Sequence, residues 1–182
     1  MRKYYILLLC LIATPALAHP GHGVLTFNDG FLHPLTGIDH LLMLSSVGIL
    51  SAKIGQPGRF ICGALLAMFS GSLVGHYIGD FTGMEPLINI SVFVACGVIL
   101  CAAHGRTIWL VPFLLTVHGW AHGVEGSSGD AFYIFTAGFL LASGGLLFGC
   151  HFLGKFVYRY SSLRKFVGVG GIIMMTMNVL SQ

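Results

Sequence analysis

The stretch His33-Pro34-Leu35-Thr36-Gly37-Ile38-Asp39-His40 opens an apolar run that continues through Leu50. It places one acid and two histidines at the start of a segment that is otherwise mostly hydrocarbon. Ionisable side chains within a membrane span are costly, and by default they mark the path of a substrate, an ion or a proton. The stretch therefore predicts a membrane-spanning helix that carries a functional site near its beginning.

The composition of the whole chain is that of an integral membrane protein. Its 182 residues are 55% hydrophobic and 8% charged, and the mean hydropathy is +0.87. Soluble domains carry about 25% charged residues, so an unusually apolar soluble domain explains the chain poorly. The sequence has no basic patch interleaved with aromatic residues. We therefore expect no nucleic-acid partner and a lipid bilayer as the surroundings.

The first eighteen residues have the pattern of a secretory signal peptide. Met1-Arg2-Lys3 is basic, residues 4–12 are apolar but short for a span, and Ala16-Leu17-Ala18 fits the cleavage rule. Cleavage after Ala18 would leave one membrane domain, residues 19–182, and an uncleaved anchor is the alternative. The mature chain would keep four cysteines without CxxC spacing, Cys62, Cys96, Cys101 and Cys150, so a disulfide framework is not expected.

Six hydrophobic segments follow, each near the length that a helix needs to cross a bilayer. We place them at about residues 31–52, 60–78, 84–103, 107–123, 131–153 and 163–180. The predicted fold class is an all-α integral membrane protein, a six-transmembrane-helix bundle after a cleaved N-terminal signal peptide. In the second segment Ala67, Gly71, Gly75 and Gly79 recur at every fourth position. Small residues at this spacing predict close packing against another helix.

Basic residues are confined to alternate connectors between these segments. If the mature N-terminus lies outside the cytoplasm, the inner connectors hold every basic residue of the mature chain: Lys53, Arg59, Arg106, Lys155, Arg159, Arg164 and Lys165. The outer regions hold acids without Lys or Arg: Asp29, Asp80, Glu85, Glu125 and Asp130. The positive-inside rule then predicts a multi-pass inner-membrane protein whose mature N-terminus and C-terminus are both periplasmic.

The first polar stretch offers several metal ligands on one helix. His33 and His40 are seven residues apart, which on a straight helix is two turns and about 10 Å along one face. Asp39 adds a carboxylate, and Met43 places a thioether one turn below it. Gly37 leaves room for a ligand or for another helix.

A second polar stretch, His118-Gly119-Trp120-Ala121-His122-Gly123-Val124-Glu125, ends the fourth segment at the same predicted depth. His118 and His122 are four residues apart and share a helix face, and Glu125 lies one turn further out. Imidazole nitrogen suits Ni, Co, Cu and Zn, and carboxylates complete such sites. The candidate metal ligands are therefore His33, Asp39, His40, His118, His122 and Glu125.

Weaker candidates have plain structural explanations beside the functional one. His76 could be a further ligand or could pack between helices. Glu85 could bind metal or could favour the start of the third segment through the helix dipole. His104 and His151 fall towards the inner side of the membrane, together with Cys62, Cys101 and Cys150. They could form an exit site with soft sulfur ligands for a metal ion, or they could be packing and interfacial residues. For the main clusters the structural alternative is that each histidine hydrogen-bonds a backbone carbonyl or packs between helices.

The two polar stretches resemble the HupE/UreJ family of hydrogenase- and urease-accessory membrane proteins. The resemblance rests on His33-Pro34-x-x-Gly37-x-Asp39-His40-x-x-x-Met43 and on His118-Gly119-x-Ala121-His122-Gly123-x-Glu125. Glu85 before Ile88-Asn89-Ile90-Ser91-Val92 and the pair Gly138-Phe139 are similar too, so the resemblance covers essentially the whole mature chain. The chain departs from the family pattern after Gly138-Phe139, where the nearest histidine is His151.

The resemblance implies a secondary permease for nickel, or for cobalt, that serves hydrogenase or urease maturation machinery. We therefore predict a non-enzymatic importer of a divalent transition-metal ion, Ni²⁺ before Co²⁺, with no tightly bound cofactor. One alternative is an intramembrane zinc-dependent hydrolase, since three histidines and an acid can hold zinc with an activated water. The other is a membrane protein that binds haem through two histidines.

Overall fold

The structure is a computed structural model that describes residues 25–126 and 129–181, and in these ranges it contains helices and no strand. Seven α-helices and one 3₁₀ segment follow in order: α1 (Phe27–Thr36), α2 (Ile38–Ser51), α3 (Pro57–Ile78), α4 (Met84–Leu100), the 3₁₀ segment (Arg106–Leu114), α5 (Leu115–Glu125), α6 (Asp130–Val157) and α7 (Ser161–Leu180). The predicted all-α fold class is confirmed. The predicted signal peptide, residues 1–18, lies outside the described residues.

Length and hydropathy identify candidate membrane spans among these helices. Three of them, α3, α6 and α7, are long and apolar enough to cross a bilayer, and the pair α1 and α2 becomes a fourth if it is one bent span. Helix α4 is apolar but has only 17 residues. Within the described residues the chain is therefore a multi-pass helical membrane protein with three or four candidate spans, and the number six stays a prediction.

The first predicted span, residues 31–52, is divided by a sharp bend at Gly37. This residue is extended, with φ −82° and ψ 127°, and the axes of α1 and α2 form an angle of 79°. Helix α1 begins early, at Phe27, because Thr26 and Asp29 form a capping box. Pro34 consequently lies inside α1 rather than in its first turn. The prediction of one continuous helix was wrong, because α1 ends at Thr36 and Gly37 has an extended backbone between the two helices.

The fourth predicted span, residues 107–123, is also not one α-helix. The chain turns at Gly105, where φ is +88°, forms the 3₁₀ segment, and becomes α-helical only from Leu115 to Glu125. Pro112 lies in the 3₁₀ segment and has no N–H for the carbonyl four residues earlier, so a regular α-helix cannot pass through it intact. The result is a short α5 of 11 residues that carries the second polar stretch.

Helices α3 and α5 touch backbone to backbone through glycines on both sides. A methyl group on any of four glycines would overlap a carbonyl of the facing helix: Gly71, Gly75, Gly119 and Gly123. The packing role predicted for Gly71 and Gly75 is therefore confirmed. Gly79 has a different role, because it ends α3 with φ +85°. This contact fixes α5, and with it the second polar stretch, against a long span.

The connectors that follow α2, α4 and α6 meet at one end of the bundle. Lys53 Nζ lies 3.2 Å from the carbonyl oxygen of Ala102 and 5.0 Å from the ring centroid of Tyr158. Arg164 donates from Nη1 to the carbonyl oxygen of Ile99 at 2.8 Å. The three connectors that the charge pattern assigned to one side of the membrane thus share one end, which we call the basic end.

Candidate metal centre

The bend at Gly37 gathers the first polar stretch into a compact group. His33 lies in the last turn of α1, and Asp39 lies in the first turn of α2. The ring centroids of His33 and His40 are 5.5 Å apart, not the 10 Å of a straight helix. A methyl group at Gly37 would come within 3.0 Å of Asp39 Oδ1 and of His40 Nδ1. The glycine therefore provides both the turn and the space that the two side chains occupy.

Helix α5 presents the second polar stretch to this junction. His118 and His122 are 0% and 1% exposed and share one face of the helix, as their spacing predicted. Glu125 lies one turn further along and its side chain is 54% exposed. Its Oε2 is 3.5 Å from His33 Nε2 and 3.6 Å from His122 Nδ1. Glu125 thus connects α5 to α1 at the solvent-facing edge of the site.

Four imidazole rings, those of His33, His40, His118 and His122, form what we call the histidine cluster. His40 lies at its centre, with ring centroids 4.4 Å from His122 and 5.1 Å from His118. The rings of His33 and His122 are 4.5 Å apart. The two sequence-predicted stretches therefore meet in space, although 78 residues separate His40 from His118 in the numbering.

Several nitrogens of the histidine cluster have no hydrogen-bond partner. Six buried side-chain N or O atoms lack a partner within the described residues, and four of them belong here: His40 Nε2, His118 Nδ1, His122 Nδ1 and His122 Nε2. An unpaired buried polar atom costs about 1–3 kcal/mol, so such atoms are rarely left together in a core. Converging imidazole nitrogens are the donor set that borderline transition metals prefer.

Two overlapping triads have the spacing of metal ligands. The ligand atoms of His33, His40 and His122 all lie within 4.8 Å of one another. The same holds for Asp39, His40 and His118. Such spacing suits an ion bound at about 2.0–2.2 Å from each donor. His40 belongs to both triads, which makes them neighbouring parts of one centre.

Apolar side chains of α6 close one side of the centre. The Phe139 ring centroid lies 4.2 Å from that of His122, and the Phe135 centroid lies 6.1 Å from that of His33. A methyl group at Gly138 would overlap the carbonyl oxygen of Phe27, so this glycine lets α1 approach α6. These apolar side chains lower the local dielectric constant, and electrostatic interactions grow as the dielectric constant falls. The attraction between the Asp39 carboxylate and a cation is therefore stronger here than in water.

On the other side, the centre borders a cavity of about 460 Å³ between α4 and α5. Asp39 and His40 line it, together with three more carboxylate residues: Asp80, Glu85 and Glu125. Negative groups around a cleft raise the local concentration of cations. The cavity is therefore suited to admit a cation to His40. Glu85 lines this opening but belongs to neither triad.

The remaining weaker candidates lie next to the histidine cluster or away from it. Met43 is fully buried, and its Sδ is 4.0 Å from Ser91 Oγ, which also contacts His118. His76 is not part of the cluster, because its ring stacks on Phe132 with centroids 4.0 Å apart and planes 17° apart. His76 thus faces α6, and its surroundings agree with a role in packing between helices.

The residues predicted to lie near the inner side of the membrane are separate from the histidine cluster. His104 is exposed and lines a separate cavity beside Lys53. His151 binds the hydroxyl of Ser51 near the other end of α6. The four cysteines of the described residues are free thiols, and none of them belongs to a group with metal-ligand spacing.

Sequence reasoning missed two polar residues at the site, Ser91 and Asp80. Ser91 is 2% exposed and its Oγ lies 2.8 Å from His118 Nε2. A single serine in an apolar helix is a weak signal, since it often bonds its own backbone. Asp80 was read only as an outer charge, because its place in the cavity depends on how the connector after α3 folds back.

The fold and the site define the class: a helical integral membrane protein with a buried histidine–carboxylate centre of metal-ligand geometry. The chain matches the HupE / UreJ protein family over residues 7–180 and belongs to that family. The family is associated with nickel or cobalt uptake for hydrogenase and urease. The resemblance inferred from the two polar stretches is therefore confirmed. No curated protein and no solved structure matches the chain.

Proposed function

We propose that this protein is a secondary permease that imports Ni²⁺ or Co²⁺ for metalloenzyme maturation. One observation carries the proposal above the others. The histidine cluster buries four imidazole nitrogen atoms without hydrogen-bond partners beside the carboxylate of Asp39. Hydrogen bonds to backbone carbonyls would leave nitrogens paired, and packing alone would leave the cost of these unpaired buried atoms uncompensated. A divalent cation with borderline ligand preferences supplies the partner that they need.

The donors divide into an entrance and a buried part. Glu125 is half exposed and contacts both His33 and His122, so it serves the entrance. His40 and His118 are 7% and 0% exposed and form the buried part with Asp39. In low dielectric the single carboxylate of Asp39 offsets much of the charge of the ion. A cation would thus exchange water for nitrogen and oxygen ligands in steps along the cavity.

The direction of transport follows from the charge distribution. The basic end holds Lys53, Arg159 and Arg164, and the histidine cluster lies at the opposite end of α2 from Lys53. The positive-inside rule then puts the basic end in the cytoplasm and the cluster at the periplasmic entrance. A membrane potential of 100 mV, negative inside, would supply about 4.6 kcal/mol for a divalent ion.

The geometry supports the two alternative functions less well. His40 lies 4.4–5.5 Å, centroid to centroid, from each of the other three imidazole rings, which leaves no gap for a porphyrin between His40 and any of them. A zinc hydrolase would retain one zinc ion per chain through purification, whereas a permease binds its ion reversibly. Metal analysis of the purified protein distinguishes these two functions.

Nickel accumulation in cells tests the proposed function. We expect cells expressing the natural chain to take up radioactive Ni²⁺, and cells expressing His40→Ala to remain at background, because His40 belongs to both triads. His104→Ala is the matched control, since it removes an exposed histidine outside the histidine cluster. Uptake by His40→Ala at the level of His104→Ala, with equal protein in the membrane, would refute the proposal.

A further inference from the structure

We propose that Ser91 is a positioning residue that fixes the tautomer of His118, so that Nδ1 is the atom this histidine offers to the metal. The effect of Ser91 on metal binding rests on the proposed function, but the tautomer of His118 is a property of the metal-free protein. Ser91 belongs to α4, which contributes no member to either triad. Through this hydrogen bond α4 would help to orient a ligand of the metal centre.

The direction of each hydrogen bond follows from the two neighbours of the serine hydroxyl. Ser91 Oγ is 2.7 Å from the carbonyl oxygen of Ile88 and 2.8 Å from His118 Nε2. A carbonyl oxygen only accepts, so a hydrogen bond between Ser91 and Ile88 uses the single hydroxyl hydrogen of the serine. In this arrangement Ser91 Oγ offers only lone pairs to His118. Nε2 of His118 then carries the hydrogen of the second bond and donates it to Ser91.

A neutral imidazole carries one hydrogen, so this bond decides the state of the other nitrogen. With hydrogen on Nε2, Nδ1 of His118 holds a free lone pair. Nδ1 is buried and has no hydrogen-bond partner within the described chain. It belongs to the residue whose ligand atom lies within 4.8 Å of those of Asp39 and His40. The atom without a partner thus belongs to a residue that has metal-ligand spacing.

The serine also restricts rotation of the ring. Ser91 is 2% exposed and is held in α4 by its bond to the preceding turn, so its oxygen is a fixed point. Met43 Sδ lies 4.0 Å from the same oxygen and fills the space on its other side. Metal-bound histidines commonly donate their second N–H to such a fixed acceptor, and losing it typically costs 10–100-fold in metal affinity.

The chain contains a matched pair that serves as a control. Ser51 Oγ donates to the carbonyl oxygen of Gly48 at 2.6 Å and contacts His151 Nδ1 at 2.8 Å. Ser51 and His151 are both buried, but they lie near the basic end and away from the histidine cluster. Ser51→Ala and Ser91→Ala therefore remove the same kind of bond, and only Ser91→Ala touches the centre.

The test uses two measurements on purified full-length protein in detergent. Nitrogen-15 spectra of metal-free, histidine-labelled protein report which ring nitrogen of His118 carries hydrogen, with the signal assigned by its loss in His118→Gln. Titration with Co²⁺, followed by its visible absorption, reports affinity. We expect hydrogen on Nε2 of His118, and Co²⁺ binding weakened about 10–100-fold in Ser91→Ala but unchanged in Ser51→Ala. Ser91→Thr keeps a hydroxyl and should restore binding.

Two results would overturn the inference: hydrogen on Nδ1 of His118 in the natural chain, or natural Co²⁺ affinity in Ser91→Ala. The nitrogen-15 measurement decides alone if Ser91→Ala does not fold, because it needs only the natural chain and the assignment variant. Failure of the proposed function looks different. In that case the natural chain binds no Co²⁺, while the tautomer of His118 is still read directly.

Discussion

Asp39 combines two roles at the scale of a single residue. Its Oδ2 lies 2.9 Å from His40 Nδ1, so the carboxylate accepts the hydrogen of that nitrogen and leaves Nε2 of His40 free to bind. Nε2 is the atom that the structure leaves without a partner. A carboxylate has two oxygens, so Oδ1 would remain for a bound cation. The same logic that assigns Nδ1 of His118 thus assigns Nε2 of His40.

Replacing Asp39 by Asn should therefore weaken metal binding more than any change beyond the ligands. The amide keeps the shape but removes the charge that offsets the cation, and we expect Co²⁺ affinity to fall by about 100-fold or more. Asp130→Asn makes the same change at the start of α6, away from the histidine cluster, and should leave affinity unchanged. Equal affinities in the two variants, measured by titration, would contradict the role of Asp39.

The candidate ligands could be singled out from sequence because ionisable groups rarely occur in apolar segments without a function. His33, Asp39, His40 and His118 stand out in this way. His76 was a weaker candidate on the same grounds, and its ring stacks on Phe132. A sequence shows that a histidine lies in a helix, but not which neighbour its face meets. Ser91 was missed for the opposite reason, because a serine in an apolar helix is common.

At the scale of elements, the contact between α3 and α5 decides where the second polar stretch lies. Gly71 on α3 approaches the carbonyl oxygen of Thr116 so closely that no side chain fits. Association of helices in lipid relies on such packing, since the bilayer supplies no hydrophobic drive between them. The spacing of the glycines predicted this contact, although it did not identify α5 as the partner.

Gly71→Ala should consequently destabilise the protein, by about 1–3 kcal/mol, because the added methyl group forces α3 and α5 apart. Gly63 lies on the same helix, and a methyl group there meets no other atom within 4 Å. Gly63→Ala is therefore the control and should unfold like the natural chain. Thermal unfolding in detergent compares the two, and a Gly71→Ala protein as stable as Gly63→Ala would show that the contact is unimportant.

The break between α1 and α2 was beyond sequence reasoning. Pro34 and Gly37 are both compatible with a continuous apolar span at its first turns, and hydropathy does not register a bend. Beyond the bend of 79°, α1 packs closely on α6 at Gly138, a contact between segments distant in sequence. The break leaves the rings of His33 and His40 5.5 Å apart, as the proposed metal centre requires.

At the scale of the whole molecule, the basic end and the histidine cluster occupy opposite parts of the bundle. Lys53 and Arg164 hold the connectors of the basic end together. The carboxylate-lined cavity opens at the other end, beside Glu85 and Glu125. A cation attracted to this cavity and drawn by a potential that is negative at the basic end would move in one direction. We propose that the histidine cluster lies on that path.

Flux into proteoliposomes tests this claim most directly, because no other cellular transporter is present. Purified natural chain, His40→Ala and His104→Ala are reconstituted, and Ni²⁺ entry is followed under an imposed inside-negative potential. We predict saturable entry that rises with the potential for the natural chain and for His104→Ala, and entry no faster than in empty liposomes for His40→Ala. Entry through His40→Ala at the natural rate, or none through the natural chain, would contradict the account.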